Sequence, residues 1–272
     1  MPSEHLSKIF RTFTYTGNAF SPENTALLVE VPLEIMINHQ RHILIMFTPE
    51  FVRELVVGFV FTEGLISNLS DIEQCVVSPV HDTDGGQIFQ ATVTTSLHPS
   101  DLISNQTVTR ISYSSCGICG KENYYDLSRG LSRVKSRHRF SMEVLRKLPH
   151  KLKKLQPLYR NTGGAHAALL FDPKGEAIFH CEDMGRHNAL DKVIGHTLLE
   201  AIPSDDKILL SSGRASLEMI LKTARIGFPV FVAMSRPTSR AVEAAKFYNI
   251  TLIDMARDSS HIYTHVRRIQ GF

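Results

Sequence analysis

Apolar and polar positions alternate along this chain with two different periods, and the change between them divides it. Over the first third the period is two. Residues 27–31 and 33–38 alternate as half-buried strands do, and residues 41–47 predict a further strand. Pro32 stands between the first two runs; lacking an N–H, it predicts an edge position or a bulge. Thr48-Pro49-Glu50 predicts a helix start, since threonine caps helix N-termini and proline is pre-set for the first helical position. That helix runs to Glu63 and stops at Gly64. Ser70-Asp71-Ile72-Glu73 has capping-box spacing but leads into a strand-like stretch over 75–80. Turn chemistry at 82–86 then returns residues 87–95 as a hairpin partner.

After a polar stretch over 96–110 the pattern changes. A helix is predicted over 141–155, with a bend at Pro149. Residues 167–171 and 177–180 read as a hairpin around Pro173-Lys174-Gly175. Helices over 186–200, 215–226 and 237–248 then alternate with strands over 207–210, 230–234 and 251–255. Short apolar strands alternating with amphipathic helices predict an α/β fold with a largely parallel sheet covered on both faces.

Composition sets the context. At 272 residues the chain has enough length to bury a substantial core. Four cysteines do not suggest a disulfide scaffold, and no apolar run follows a basic start, so no signal peptide is expected. The apolar stretch over 51–66 is interrupted by Arg53, Glu54 and Glu63, too charged to span a membrane. The expectation is a cytoplasmic protein with reduced thiols and no membrane partner. The formal charge of +3 is unevenly placed: eleven Lys or Arg stand between Arg129 and Arg160 against Glu143 alone, which leaves the rest at −7. That segment is either a solvated basic helix face or a docking surface for an acidic protein or phosphate-rich ligand. No aromatic platform interleaves with the charges, so no nucleic-acid partner is expected.

Candidate chemistry lies in two places. Ser114-Ser115-Cys116-Gly117-Ile118-Cys119-Gly120 is small, polar and glycine-flanked, which predicts a mobile loop. A Cys-x-x-Cys pair serves as half a zinc site, as a dithiol redox couple, or as a nucleophilic or carrier thiol. The second place is the set of strand exits, where open α/β sheets gather ligands. Ser211-Ser212-Gly213-Arg214, the run from Ser235 to Arg240 and the run from Met255 to His261 each combine hydroxyl residues with arginine. Serine and threonine there fit ordinary helix capping; three such exits in succession favour a phosphate-bearing, nucleotide-like ligand. The paired glycines of Thr162-Gly163-Gly164-Ala165-His166 fit a tight turn or a close approach to ligand, and the polar run from Glu182 to Asn188, followed by Asp191 and Lys192, adds a buried polar network or a site edge.

Taken together, these residues resemble the FdhD/NarQ family, sulfurtransferases that serve formate dehydrogenase maturation. The resemblance rests on Phe59-Val60-Phe61-Thr62-Glu63-Gly64, on the 115–120 segment, on Thr162 to Ala168, on Glu182 to Lys192 and on Ser212 to Ser216. It implies a cytidine-deaminase-like three-layer α/β core over 163–272 and a smaller α+β N-terminal domain over 1–110. A Cys-x-x-Cys loop and basic helical connection over 111–162 would join them, in a homodimer. It further implies that a cysteine desulfurase passes sulfane sulfur to Cys116, which carries it as a persulfide. Cys119 would be the second thiol. The recipient implied is a molybdenum or tungsten bis(molybdopterin guanine dinucleotide) cofactor, destined for formate dehydrogenase. The guanine-dinucleotide contacts fall on Met255, Ala256, Arg257, Asp258, Ser259 and Ser260, and the strand-exit argument adds Ser212, Gly213, Arg214 and Ser235.

Cys181 departs from the family pattern, which has arginine there; it is either a silent buried thiol or a nonspecific sulfur acceptor. Two rivals bound the reading. A zinc deaminase needs His-x-Glu or Cys-x-Glu before its Cys-x-x-Cys, and neither precedes Cys116. A cofactor-binding chaperone without sulfur chemistry would use the same phosphate loops and leave the cysteines dispensable.

Overall fold

The computed structural model describes residues 5–81, 86–96, 110–111, 128, 130–256 and 260–272. Two strands that the periodicity did not reveal come first. β1 (Ser7–Thr16) and β2 (Ala19–Leu28) pair antiparallel around Gly17 and Asn18, whose positive φ angles of 58° and 67° close a tight turn. Directly paired residues share a face, so Ile9, Phe13, Tyr15, Phe20, Pro22 and Ala26 line one side. The hydroxyls of Thr12 and Thr25, and of Thr14 and Ser21, are hydrogen-bonded on the other.

β3 (Val31–Ile37) and β4 (Gln40–Phe47) follow, joined by Asn38 and His39, both left-handed. Val31, Leu33, Ile35 and Ile37 are buried in strict alternation. β5 (Ile72–His81), β6 (Gln87–Thr95) and β7 (Arg110–Ile111) complete a sheet of order β5-β6-β3-β4-β7. The edge position read from Pro32 is corrected: β3 has a neighbour on each side. Its ladder with β6 begins at Leu33, one residue past the missing N–H.

α1 (Val52–Thr62) starts later than its sequence signal. Phe51, left-handed at φ 53°, opens it, and Thr48 is not its cap. The Thr48 hydroxyl instead accepts the Met184 N–H at 3.1 Å, and its own N–H donates to Asp183. The capping box lies two residues earlier than read, at Asn68 and Asp71 of a short 3₁₀ turn (Leu69–Asp71) before β5, with Asp71 accepting the N–H groups of Ser67 and Asn68.

The second sheet has the order β10-β9-β11-β12-β13-β14. Its strands are β9 (His166–Phe171), β10 (Ala177–Asp183), β11 (Ile208–Arg214), β12 (Val230–Ser235), β13 (Thr251–Asp254) and β14 (His261–Ile262). Only β11, β12 and β13 run parallel; β9 is antiparallel to both its neighbours and β14 to β13. The largely parallel sheet expected from the alternation is therefore mixed. The links from β9 to β10 and from β13 to β14 are too short for a crossover and turn back as hairpins.

Period-two burial divides the core. Leu169, Phe171, Leu210 and Val232 pack with Leu145, Leu148 and Leu152 of α2 (Met142–Lys154), a helix that continues through Pro149. The opposite face, with Ala168, Leu170, Leu209 and Phe231, packs against the larger cluster. That cluster takes residues from α4 (Arg186–Leu199), α5 (Leu217–Ile226) and α6 (Ser239–Phe247). α3 (Pro157–Thr162) is a short helix ahead of β9. Near the C-terminus, β15 (Ile269–Gln270) pairs with β8 (Phe140–Ser141), just before α2.

A close helix crossing helps tie the two sheets. A Cβ on Gly58 of α1 would lie 1.9 Å from the Asp191 carbonyl oxygen, and one on Gly195 of α4 would lie 1.8 Å from that of Glu54. Backbone meets backbone there, and only glycine permits it.

Candidate functional site

The strand directions bring the candidate segments to one edge of the second sheet. The ends of β11, β12 and β13, the end of β10 and the start of β9 lie along it, with His166 opposite Asp183 and Asp254 opposite His261. This is the carboxyl edge of the parallel strands, where ligands of open sheets collect.

Much of the polar sequence at this edge is structural. Glu182 accepts the N–H groups of Leu158 and Tyr159, each at 2.7 Å, at the start of α3. Burial raises its pKa, opposed by those two bonds. Asp183 is fully buried and fully occupied. One oxygen takes the Gly185 N–H and the Asn188 amide; the other takes the Thr48 N–H and the Lys192 ammonium at 2.7 Å. Lys192 also donates to the Thr48 carbonyl, and Asn188 to that of Met46. The run from 182 to 192 is thus mostly a buried network that ties β10 and α4 to the end of β4.

One turn further along α4, Asp191 accepts from Thr62 of α1 at 2.8 Å and from Lys222 at 2.5 Å. Glu63 and Glu218 each stand 3.8 Å from the same ammonium. Burial works against the charge on Lys222, but Asp191, Glu63 and Glu218 outweigh it and raise the pKa. Burial raises that of Asp191.

Arg186, the first residue of α4, is different. Its Nε is buried without a hydrogen-bond partner, and among the described residues it makes no ion pair. Its arm lies across Gly213, where a Cβ would sit 3.1 Å from the Arg186 Cδ and 3.8 Å from the His166 Nδ1. Ser212 accepts the Ala167 N–H at 2.9 Å and lies 3.4 Å from the same imidazole nitrogen. Burial first, then the Arg186 charge, lowers the His166 pKa, with Asp183 opposing. A buried guanidinium N–H with no acceptor among the described residues, beside an imidazole held neutral, is an arrangement that an anionic ligand completes.

The other predicted residues are placed as follows. Arg214 is exposed and in register with half-buried Ser235. The caps of α5 and α6 are Ser216 and Thr238, so those hydroxyls hold helix N–H groups. The Met255 side chain turns into the core, while Ala256 is exposed and its N–H donates to Asp254. Asp254 also accepts from Tyr263 at 2.8 Å. Ser260 is half-buried; Arg257, Asp258 and Ser259 lie outside the described residues, as do Cys116 and Cys119. Cys181 is 2% exposed, its thiol directed at the Ala189 carbonyl at 3.2 Å, and burial pushes its pKa up. Cys75 is partly buried against the large cluster, and burial raises its pKa too.

The FdhD/NarQ family model matches residues 28–270. The chain belongs to the FdhD/NarQ family. Among the relatives of this FdhD/NarQ chain is the sulfur carrier protein FdhD of Thermoplasma acidophilum, 38% identical over 266 residues, covering 95% of this chain and 92% of that one. The protein of the same name from Bacillus subtilis is 30% identical over 272 residues, covering 98% and 99%. In fold, the chain is similar to a crystallised candidate formate dehydrogenase accessory protein from Desulfotalea psychrophila, with a TM-score of 0.74 at 21% identity. That likeness covers 97% of this chain and 99% of that one.

Sequence reasoning marked both segments as turn, network or site edge but did not single out Arg186 and His166 within them. The available signal was their place at the two glycine-bearing turns that face Gly213. Among the described residues, no helix is long and apolar enough to cross a membrane.

Proposed function

We propose that this chain is a sulfurtransferase that carries sulfur for formate dehydrogenase maturation. The observation that carries the reading is the match, over nearly the whole chain, to relatives named sulfur carrier proteins, in a sequence that holds the Cys116-Gly117-Ile118-Cys119 pair. In this reading the Cys116 thiolate attacks the terminal sulfur of a persulfide on a cysteine desulfurase. The donor S–S bond breaks, the donor leaves as a thiolate, and Cys116 holds the sulfur as a persulfide. Its recipient is the metal of a bis(molybdopterin guanine dinucleotide), bound as cargo before it enters formate dehydrogenase.

The Arg186 N–H, unpartnered among the described residues, and the exposed Arg214 fit the phosphates of such a cargo. Sulfur chemistry of this kind needs a reduced compartment, hence a cytoplasmic protein. Arg146, Lys153 and Lys154 are exposed on α2 and unpaired among the described residues, which suits an acidic partner such as the desulfurase. The apolar side of the β1–β2 hairpin, with Phe20 75% and Ile9 73% exposed, suits cover by a second subunit, and we include the homodimer in this reading. So is a cytidine-deaminase-like layering of the core, for which sheet faces packed on both sides speak.

Peptide mass mapping after incubation with a cysteine desulfurase and cysteine tests the carrier. One added sulfur atom on the Cys116 peptide is expected, removed by reductant and missing in Cys116→Ala. If no cysteine gains sulfur while guanine nucleotide still binds, the protein is a chaperone without sulfur chemistry.

A further inference from the structure

We propose that Arg186, laid across Gly213 with His166 beside it, is the cation that anchors a phosphate of the nucleotide at this sheet edge. The inference deepens the cargo reading above and rests on it. Three observations carry it. The first is the unpaired arginine itself. Among the described residues its buried Nε has no acceptor, and a buried donor left without one is costly, so a ligand atom is the natural partner. The nearby carboxylate does not serve. Asp183 is committed on both oxygens to Lys192, Thr48, Gly185 and Asn188.

The second is the fit around the arm. Gly213 leaves room for the Arg186 Cδ, which a methyl there would press at 3.1 Å. The arm therefore packs against the end of β11, at the exit the sequence marked with Ser212 and Arg214. A guanidinium presents a planar fork of donors that matches two phosphate oxygens at once. The third is the neighbour. His166 is faced by Arg186 from α4, Asp183 from β10 and Ser212 from β11, and burial with the Arg186 charge keeps it neutral. A neutral imidazole offers a hydrogen bond without adding a second repelling cation before the anion arrives.

Calorimetric titration with GDP and with guanosine, which share the base and sugar, tests the assignment. The wild-type protein is expected to prefer GDP. Arg186→Gln is expected to lose at least tenfold in GDP affinity, the effect of about one charge-assisted hydrogen bond, with guanosine affinity unchanged. Arg186→Lys keeps the charge but not the fork, so it should fall between them. Should Arg186→Gln fold poorly by circular dichroism, Arg186→Lys supplies the reading, because a purely structural role lowers both affinities together. An unchanged ratio of GDP to guanosine affinity in a folded variant overturns the inference and leaves the cargo reading standing. Wild-type protein that binds neither compound brings down the cargo reading and the inference with it.

Discussion

Gly58→Ala places a methyl where α1 and α4 touch backbone to backbone. The new Cβ would sit 1.9 Å from the Asp191 carbonyl oxygen, against at least 3.4 Å for ordinary contact, so the helices must part by about 1.5 Å. No side chain can swing aside, because the obstacles are the Asp191 carbonyl and the Gly195 N. Overpacking a core contact costs about 1–3 kcal/mol. Separation also pulls on the Asp191 side chain, bonded to Thr62 and to the buried Lys222, where loss of one partner of such a pair costs about 3–5 kcal/mol. Against this, alanine in a helix interior gains about 1 kcal/mol over glycine.

With the overpacking near its upper limit and only part of the ion-pair cost incurred, the net loss is roughly 3 kcal/mol. That corresponds to a fall in melting temperature of about 6–12 °C for a protein of this size. Urea unfolding followed by circular dichroism measures it as a lower midpoint at unchanged slope. Gly195→Ala, with its Cβ 1.8 Å from the Glu54 carbonyl, should behave alike. The two changes should also combine less than additively, since once the helices have parted the second methyl meets less resistance. Gly58→Ala as stable as the wild type, or more stable by the helix-propensity gain, would refute the crossing as a joint between the two sheets.

Two further outcomes follow from the buried groups. Alkylation of the native protein with iodoacetamide should spare Cys181, which is buried with a raised pKa, and modify it only in denaturant; rapid native modification would contradict its placement. Burial and Arg186 depress the His166 pKa, so its contribution to stability is present above the unfolded pKa of about 6.5 and is lost as pH falls through the folded value. In phosphate-free buffer the stability of wild type relative to His166→Asn should therefore decline on acidification from about pH 7.5, and a flat difference would count against the depressed pKa.

The helices and longer strands over 166–254 were legible because each buries one face or both, which imposes a period the sequence shows. Two-residue β14 and β15 are too short to show one. The β1–β2 hairpin was not legible either. Most of its side chains are exposed, so Phe10, Phe13 and Tyr15 carry no buried stripe to betray a strand. Thr48 misled for a different reason: its capping chemistry is real, but the hydroxyl caps nothing local and serves Met184, 136 positions along the chain. The β9–β10 hairpin was legible, but the antiparallel pairing of β9 with β11 was not. The apolar composition of β9 suits a parallel strand, and which strand lies on its far side is a matter of topology that the pattern does not report.

The polar run from 182 to 192 shows why the ligand edge was harder to see than the fold. In sequence its charged residues look like one site. In space, Glu182, Asp183, Asn188 and Lys192 face inward and satisfy one another or backbone groups, Asp191 meets α1 and α5, and the Arg186 Nε is left without a partner among the described residues. Sequence pattern reports that polar groups are dense but not which of them are satisfied, and only an unsatisfied one requires a ligand. The same helix also explains why the two halves of the molecule are held so tightly. Arg186 opens α4, and Asp191 and Gly195, one and two turns further on, fix that helix against α1. The place of the ligand edge is thus set by a contact with the N-terminal unit. A change at Gly58, far from any ligand atom, would move the arginine that we assign to the phosphate.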